Sequence, residues 1–434
     1  MNDATPRTLA PAIAERHTFI PISRPDVIEA LLSPELWADE RQRALARSVF
    51  HKMGCLRQHQ SSVALNELSE VYDPFNPDDD TINQRELSAE ESAAKRYELV
   101  ETIRKHALSA NYEELTELGF REILDKSTPE GVHVEVDFGE FDVKLLFYRG
   151  EAEYLRERRD ITRLYLMKSK YAIATYNRLF MALKFKPEEV RIKEIMEQDE
   201  VDEVAAKRKL KRLRKLIPKG ASTERVYLKI FKNIPRYDLE MLFPNIQVKM
   251  KYSDKLQLGG SAVVGTASWV LGTATKLLVA VALSPLVLGA ALATGVGGIV
   301  YAQIRNIFIT RDRYRMQLAQ SLYFQNLANN QGALALIVDE AEEEDVKEEV
   351  LLYRHLLDAP IRAEGLEELD RRVEAFLNAK FGISVDFDIH DAVERLVENG
   401  LVARTPAGDL TALSLFEADR YLRDRWCRLV DEMA

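Results

Sequence analysis

Histidines, cysteines and clustered carboxylates are the side chains here that could do chemistry, and their spacing decides whether they can act together. The seven histidines, at positions 17, 51, 59, 106, 133, 355 and 390, are scattered, with no histidine pair at metal-ligand spacing. His133 and Glu135 fall on one face of an alternating segment, which would suit a general base beside a carboxylate; an ordinary exposed pair is the plainer reading. Cys55 and Cys427 are the only cysteines, too few for a disulfide framework or a thiolate zinc site from this chain alone, and they fit a reducing compartment. The densest acids, DEAEEEDVKEE from Asp339, have no histidine at the spacing of a Glu-x-x-His metal motif and read as a solvated acidic face. The sequence has neither a G-x-x-x-x-G-K-[ST] phosphate loop nor a G-x-S-x-G elbow. No catalytic residue, cofactor or metal ligand is therefore assigned.

The elements that would position any site divide the 434 residues into several units. A polar tail, read as disordered, occupies 1–17 and shows no secretory-signal core; a helical domain follows over 18–125. From Gly131 the period shortens to two: VHVEVDF and FDVKLLFYRG flank a turn, and ITRLYLM, RVYLKIF and IQVKMKY add candidate strands, giving a small α+β domain over 126–256. Long helices are expected over 307–358. The fold class expected overall is α+β, predominantly helical, with soluble domains flanking a transmembrane helical hairpin and a C-terminal winged-helix-like domain.

The hairpin expectation rests on residues 257–306. From Gly259 the chain runs through 46 Gly/Ala-rich, apolar residues with one charge, Lys276. A spanning helix needs about 20 residues, so two spans, near 260–282 and 286–305, fit with a break at Ser284-Pro285. Basic residues flank both ends, Lys249, Lys251 and Lys255 before and Arg305, Arg311, Arg313 and Arg315 after. Such clusters mark the cytoplasmic side, so both termini are expected on the cytoplasmic or matrix face of a bacterial inner membrane, or of a mitochondrial membrane in a eukaryote. Lys276, the intramembrane charge, reads as an interfacial lysine near the bend or as one facing a pore.

Within the α+β domain, AAKRKLKRLRKLIPKG is a helical stretch with Leu210, Leu213 and Ile217 on one face and Lys207, Arg208, Lys211, Arg212 and Lys215 elsewhere. Amphipathic basic helices contact anionic lipid headgroups or present a solvated charged face.

From Leu366 the pattern is helix, turn, helix, hairpin, helix, which is a winged-helix arrangement over 359–434. Its second helix presents Asp388, His390, Asp391, Glu394, Arg395 and Glu398 outward. Four acids there would repel phosphates, and the chain as a whole carries a formal charge of −10, so no nucleic-acid partner is expected.

Three segments, YLKIFKNIPRYDLEMLFPN, YFQNLANNQGALALIVDEAEEEDVKEEVLLYRHLL and VDFDIHDAVERLVENGLV, together resemble the domain of unknown function 3754 family, to which transmembrane protein 143 belongs. The resemblance implies a membrane protein with two neighbouring hydrophobic segments and brings no activity, cofactor or functional residue. The function expected is a membrane-anchored interaction or scaffold protein of unknown activity, with the bilayer, anionic headgroups, and a protein partner or a second copy as contacts. The alternatives are an oligomeric pore or transport-related protein and a membrane-bound enzyme with a site in the α+β domain.

Overall fold

The run Asn330–Leu356 forms a 27-residue helix that organises the rest of the chain. At 1.5 Å per residue it extends about 40 Å, enough to serve two cores in succession. Apolar residues surround it rather than forming one stripe: Ala333, Leu334, Ile337 and Val338 near its start, then Val346 and Val350 to Tyr353 near its end, all buried. Apolar residues on every side of both ends place the helix in an interior. The computed structural model describes residues 16–78, 87–127, 132–159, 168–214, 217, 221–243, 246–250 and 322–433.

Helices in chain order are α1 (Arg24–Leu31), α2 (Glu40–Tyr72), α3 (Ala89–Ser109), α4 (Glu117–Ser127), α5 (Glu188–Asp199), α6 (Glu203–Leu213), the central α7 (Asn330–Leu356), α8 (Leu366–Phe381), α9 (Ile389–Glu398) and α10 (Leu415–Met433). Strands are β1 (Glu113–Glu114), β2 (Val132–Val136), β3 (Phe141–Arg159), β4 (Lys168–Phe185), β5 (Tyr227–Pro235), β6 (Ile246–Met250), β7 (Asn326–Asn329), β8 (Val402–Arg404) and β9 (Leu410–Ala412). Among the described residues, β1, β3, β4, β5 and β7 form a five-stranded antiparallel sheet in that order, while β2 pairs β6 and β8 pairs β9.

Period-two alternation gives this sheet two apolar faces. Val143, Leu145, Phe147, Phe180, Ala182, Leu228 and Ile230 face α3, the end of α2 and the first half of α7. Leu146, Leu179, Met181, Leu183 and Ile234 face the other way, toward Phe120 of α4 and the turn bearing Leu239, Leu242 and Phe243. The second half of α7 lies in another core, with α1, the first half of α2, and Leu369, Val373, Ala392, Val393, Leu396, Leu401 and Ala418 of the C-terminal module. That module follows the helix, helix, hairpin, helix order, and its apolar side is continuous with the N-terminal helices.

One expectation is corrected. The fold class with a transmembrane helical hairpin is not what the described chain shows: among the described residues no helix is long and apolar enough to cross a membrane. The long helix α2 carries charged side chains through its length and α7 carries them densely from Asp339 to Glu349, which is the physical reason. What is shown is α+β with a five-stranded antiparallel sheet. Residues 257–306, with Lys276 and both expected spans, lie outside the described residues, as do ITRLYLM and Lys215.

Candidate functional site: an acidic cleft above a buried ionic core

The acids read from sequence as a solvated face are mostly buried. Glu340, Glu342, Glu344, Glu348 and Glu349 of α7 are each less than a tenth exposed. Burial at this density requires compensation, because an isolated ion in an interior costs several kcal/mol. Arginines from elements distant in sequence supply it. Glu340 accepts from Tyr112 Oη at 2.6 Å and Arg178 Nε at 3.2 Å. Glu344 accepts from the Ile20 amide at 2.5 Å and Arg149 Nη2 at 2.9 Å, and lies 2.8 Å from Lys347 Nζ. Glu342 takes Arg24 Nη1 at 2.6 Å.

Further along, Asp345 lies 3.3 Å from Arg395 and 3.6 Å from Arg57; Arg395 also bonds Glu348, and Arg57 bonds Glu349. Here three carboxyls share two guanidiniums. The surplus acid is disfavoured, and burial pushes the Glu348 carboxyl up to about 8 against the pull of Arg395. Arg395, which the sequence places outward on the second helix of the winged pattern, therefore points into the core. Its neighbours Asp388, His390, Asp391, Glu394 and Glu398 remain exposed.

Two residues that bond to this ionic core, Asn111 and Tyr112, form the floor of a cleft. Asn111 adopts a left-handed backbone (φ 57°) just past α3, and the Tyr112 amide returns to the Ala107 carbonyl at 3.0 Å, closing the helix end. The turn delivers two side chains downward: Tyr112 Oη to Glu340, and Asn111 Nδ2 to Glu348 at 3.4 Å. Above them the start of α8 and the loop into α9 close a cleft of about 680 Å³.

Six carboxyls line it: Glu113, Glu364, Glu367, Asp370, Asp386 and Asp388, with His390 as the one basic side chain of the lining. Some are engaged: Glu113 accepts from Tyr148 Oη at 2.6 Å, Asp386 lies 3.0 Å from Arg16, and Asp388 caps α9. Asp370 differs, since its Oδ1 is closed off from solvent and has no hydrogen-bond partner among the described residues. Burial, then the neighbouring Glu374, raises its carboxyl to about 6; Asp386 adds to the rise, while Arg16 and His390 oppose it. Between the acids, Leu108, Leu366, Phe387 and Ile389 supply apolar surface. The arrangement attracts cations carried on apolar stems.

The sequence-assigned residues lie elsewhere. Lys207, Arg208, Lys211 and Arg212 are exposed on α6, whose Ala206, Leu210 and Leu213 are buried against α5. Lys207 pairs with Glu203 on the same helix. That helix is held to the sheet edge by Glu140, fully buried, which accepts from Arg191 Nε at 2.7 Å and Arg214 Nε at 3.0 Å. His133 stands opposite Lys249 in the β2–β6 ladder. Sequence reasoning could have found Asp386 and Asp388 beside the second helix. It could not have found Asn111, Tyr112 and Glu113, which come from more than 200 residues away.

Among the described residues no group of three or more histidine, cysteine or acidic side chains has metal-binding geometry. No solved structure matches the chain. Residues 145–332, from within β3 into the start of α7, match the family model described as Protein of unknown function (DUF3754), which supports the family that the sequence resembles.

Proposed function

We propose that this chain is an interaction protein and that its acidic cleft receives a basic segment of a protein partner. The observation carrying this reading is the cleft lining: six carboxyls with one histidine among them, interleaved with apolar side chains. Lysine and arginine match that surface because they lay aliphatic stems on apolar surface and keep the charge at the tip. The hydrogen bonds of Tyr112 and Asn111 to the buried acids hold the floor in place, and a preformed site loses little entropy on binding. The exposed basic face of α6 offers a partner of suitable chemistry from a second copy of the chain.

A labelled peptide with the sequence of residues 203–217, titrated into the full chain by fluorescence anisotropy, tests this. Binding should weaken steeply with salt and be lost in Glu364→Lys/Glu367→Lys, both exposed positions. It should also strengthen as pH rises through about 6, where Asp370 ionises. Binding that ignores both the salt and the double substitution would exclude the cleft as the docking site.

A further inference from the structure

A second cleft, independent of the acidic one, lies at the end of the central strands between the start of α3, the end of β4, the start of α5 and the turn before β5. It encloses about 700 Å³. In a chain of net charge −10 its lining is biased the other way, with Arg96, Lys184, Lys186 and Arg225 against Asp142 and Glu224.

The pairing inside it is incomplete. The Lys184 side chain is 3 % exposed, and its Nζ lies 3.0 Å from Asp142 Oδ2. That same oxygen is 3.6 Å from Arg96 Nε, so one carboxylate faces two cations. Arg225 donates through Nη1 to the Pro74 carbonyl oxygen at 3.0 Å, which fixes its guanidinium at the wall and leaves its charge without a carboxylate among the described residues. Lys186 is matched by Glu194 at 2.6 Å, and Glu224 is exposed. Among the described residues the lining thus sets four cations, Arg96, Lys184, Lys186 and Arg225, against the two carboxylates Asp142 and Glu224, a surplus of two positive charges. Phe75, Pro187 and Val190 supply an apolar wall beside them.

We propose that this cleft binds a small phosphate monoester bearing an apolar or aromatic group. The charge selects the class: a monoester carries about −1.5 to −2 near pH 7, matching the surplus, whereas a monocarboxylate leaves a cation unneutralised. Its three terminal oxygens suit donors arriving from separate elements, and the ester group lies on the apolar wall.

Isothermal titration of the full chain with phenyl phosphate, inorganic phosphate and benzoate tests the assignment. Phenyl phosphate should bind saturably, and both other probes should bind about ten-fold more weakly or worse. Arg225→Gln should weaken phenyl phosphate about ten-fold or more while leaving the circular dichroism spectrum and melting temperature of the unliganded chain unchanged. Absence of saturable binding by the folded chain at millimolar phenyl phosphate overturns the proposal, as does undiminished binding in Arg225→Gln. Equal affinity for phenyl phosphate and inorganic phosphate overturns the apolar part. Because the acidic cleft shares no residue with this one, neither result bears on basic-peptide binding.

Discussion

Helix α7 turns Glu340, Glu344, Glu348 and Glu349 inward onto arginines, whereas α6 turns Lys207, Arg208, Lys211 and Arg212 outward to water. Both are charge-dense, and charge density does not separate them. Their apolar residues do. Helix α6 has a narrow stripe, Ala206, Leu210 and Leu213, that a single neighbour covers. Helix α7 is flanked by ALALIV on one side of its acids and VLLY on the other, and those residues go into two different cores. Once both ends are enclosed, the acids between them cannot all reach solvent. A charge run inherits the burial of its apolar flanks, and cations are then recruited from wherever the fold brings them.

The strongest test of that contrast is Arg395→Ala. It removes a cation facing Asp345, Glu348 and Glu349 and leaves Arg57 as their nearest guanidinium. Removing one partner of a buried pair costs about 3–5 kcal/mol because the other charge stays behind. Urea unfolding of the full chain should show a loss of that order; a loss under about 1 kcal/mol would mean that the acids are solvated after all.

Glu348→Gln gives a smaller effect with a characteristic pH dependence. A carboxyl raised from the ordinary glutamate value to about 8 holds a proton in the folded state that the unfolded chain releases. Its contribution to stability is full below the unfolded value and falls as pH rises through that window toward 8. Glu348→Gln removes this fall, so the variant should gain on the parent between about pH 5 and pH 8. A stability difference that stays constant over that range would show Glu348 already ionised.

Smaller again is Tyr112→Phe, which deletes the 2.6 Å bond to Glu340 at the cleft floor but leaves Arg178 and Arg149 in place. A hydrogen bond to a charged group contributes about 1.5–3 kcal/mol. The loss should fall in that range and be accompanied by weaker peptide binding above the floor. Unchanged stability would place Glu340 under the sole control of its arginines.

How far the sequence reveals this structure depends on the range of the interactions. Local chemistry is legible. The Ser88–Glu91 capping box opens α3, Ser23 caps α1, and Ser414 bonds Glu417 at the start of α10. The second helix of the C-terminal module buries Ile389, Ala392, Val393 and Leu396, the face that its spacing indicates. Strand β3 is readable over residues 141–150, but its extension to Arg159 and the long partner β4 are not, because charged residues such as Arg156 and Arg178 interrupt the apolar pattern. What pairs with what is beyond local reading. Arg57 and Glu349 lie 292 residues apart, and Asn111 and Glu348 lie 237 apart. The burial of the acidic stretch is hidden for the same reason: its arginine partners come singly from five other elements.

The smallest effect belongs to the other side of the comparison. Replacing Lys207, Arg208, Lys211 and Arg212 together by glutamine should change the unfolding free energy by less than about 1 kcal/mol. Lys207 makes a same-helix pair with Glu203 in which both side chains are more than half exposed, and such pairs are worth little. Lys211 and Arg212 sit in the last turn, where a cation meets the negative end of the helix dipole, so the small change should be a loss. Salt distinguishes the two helices further. Raising it from 0.1 to 1 M shortens the screening length from about 10 to about 3 Å, which should erase the α6 contribution while leaving the cost of Arg395→Ala almost unchanged. Should the quadruple variant instead lose more than about 2 kcal/mol, the basic face would have to be packed or paired in the folded chain, and the distinction drawn from the apolar flanks would fail.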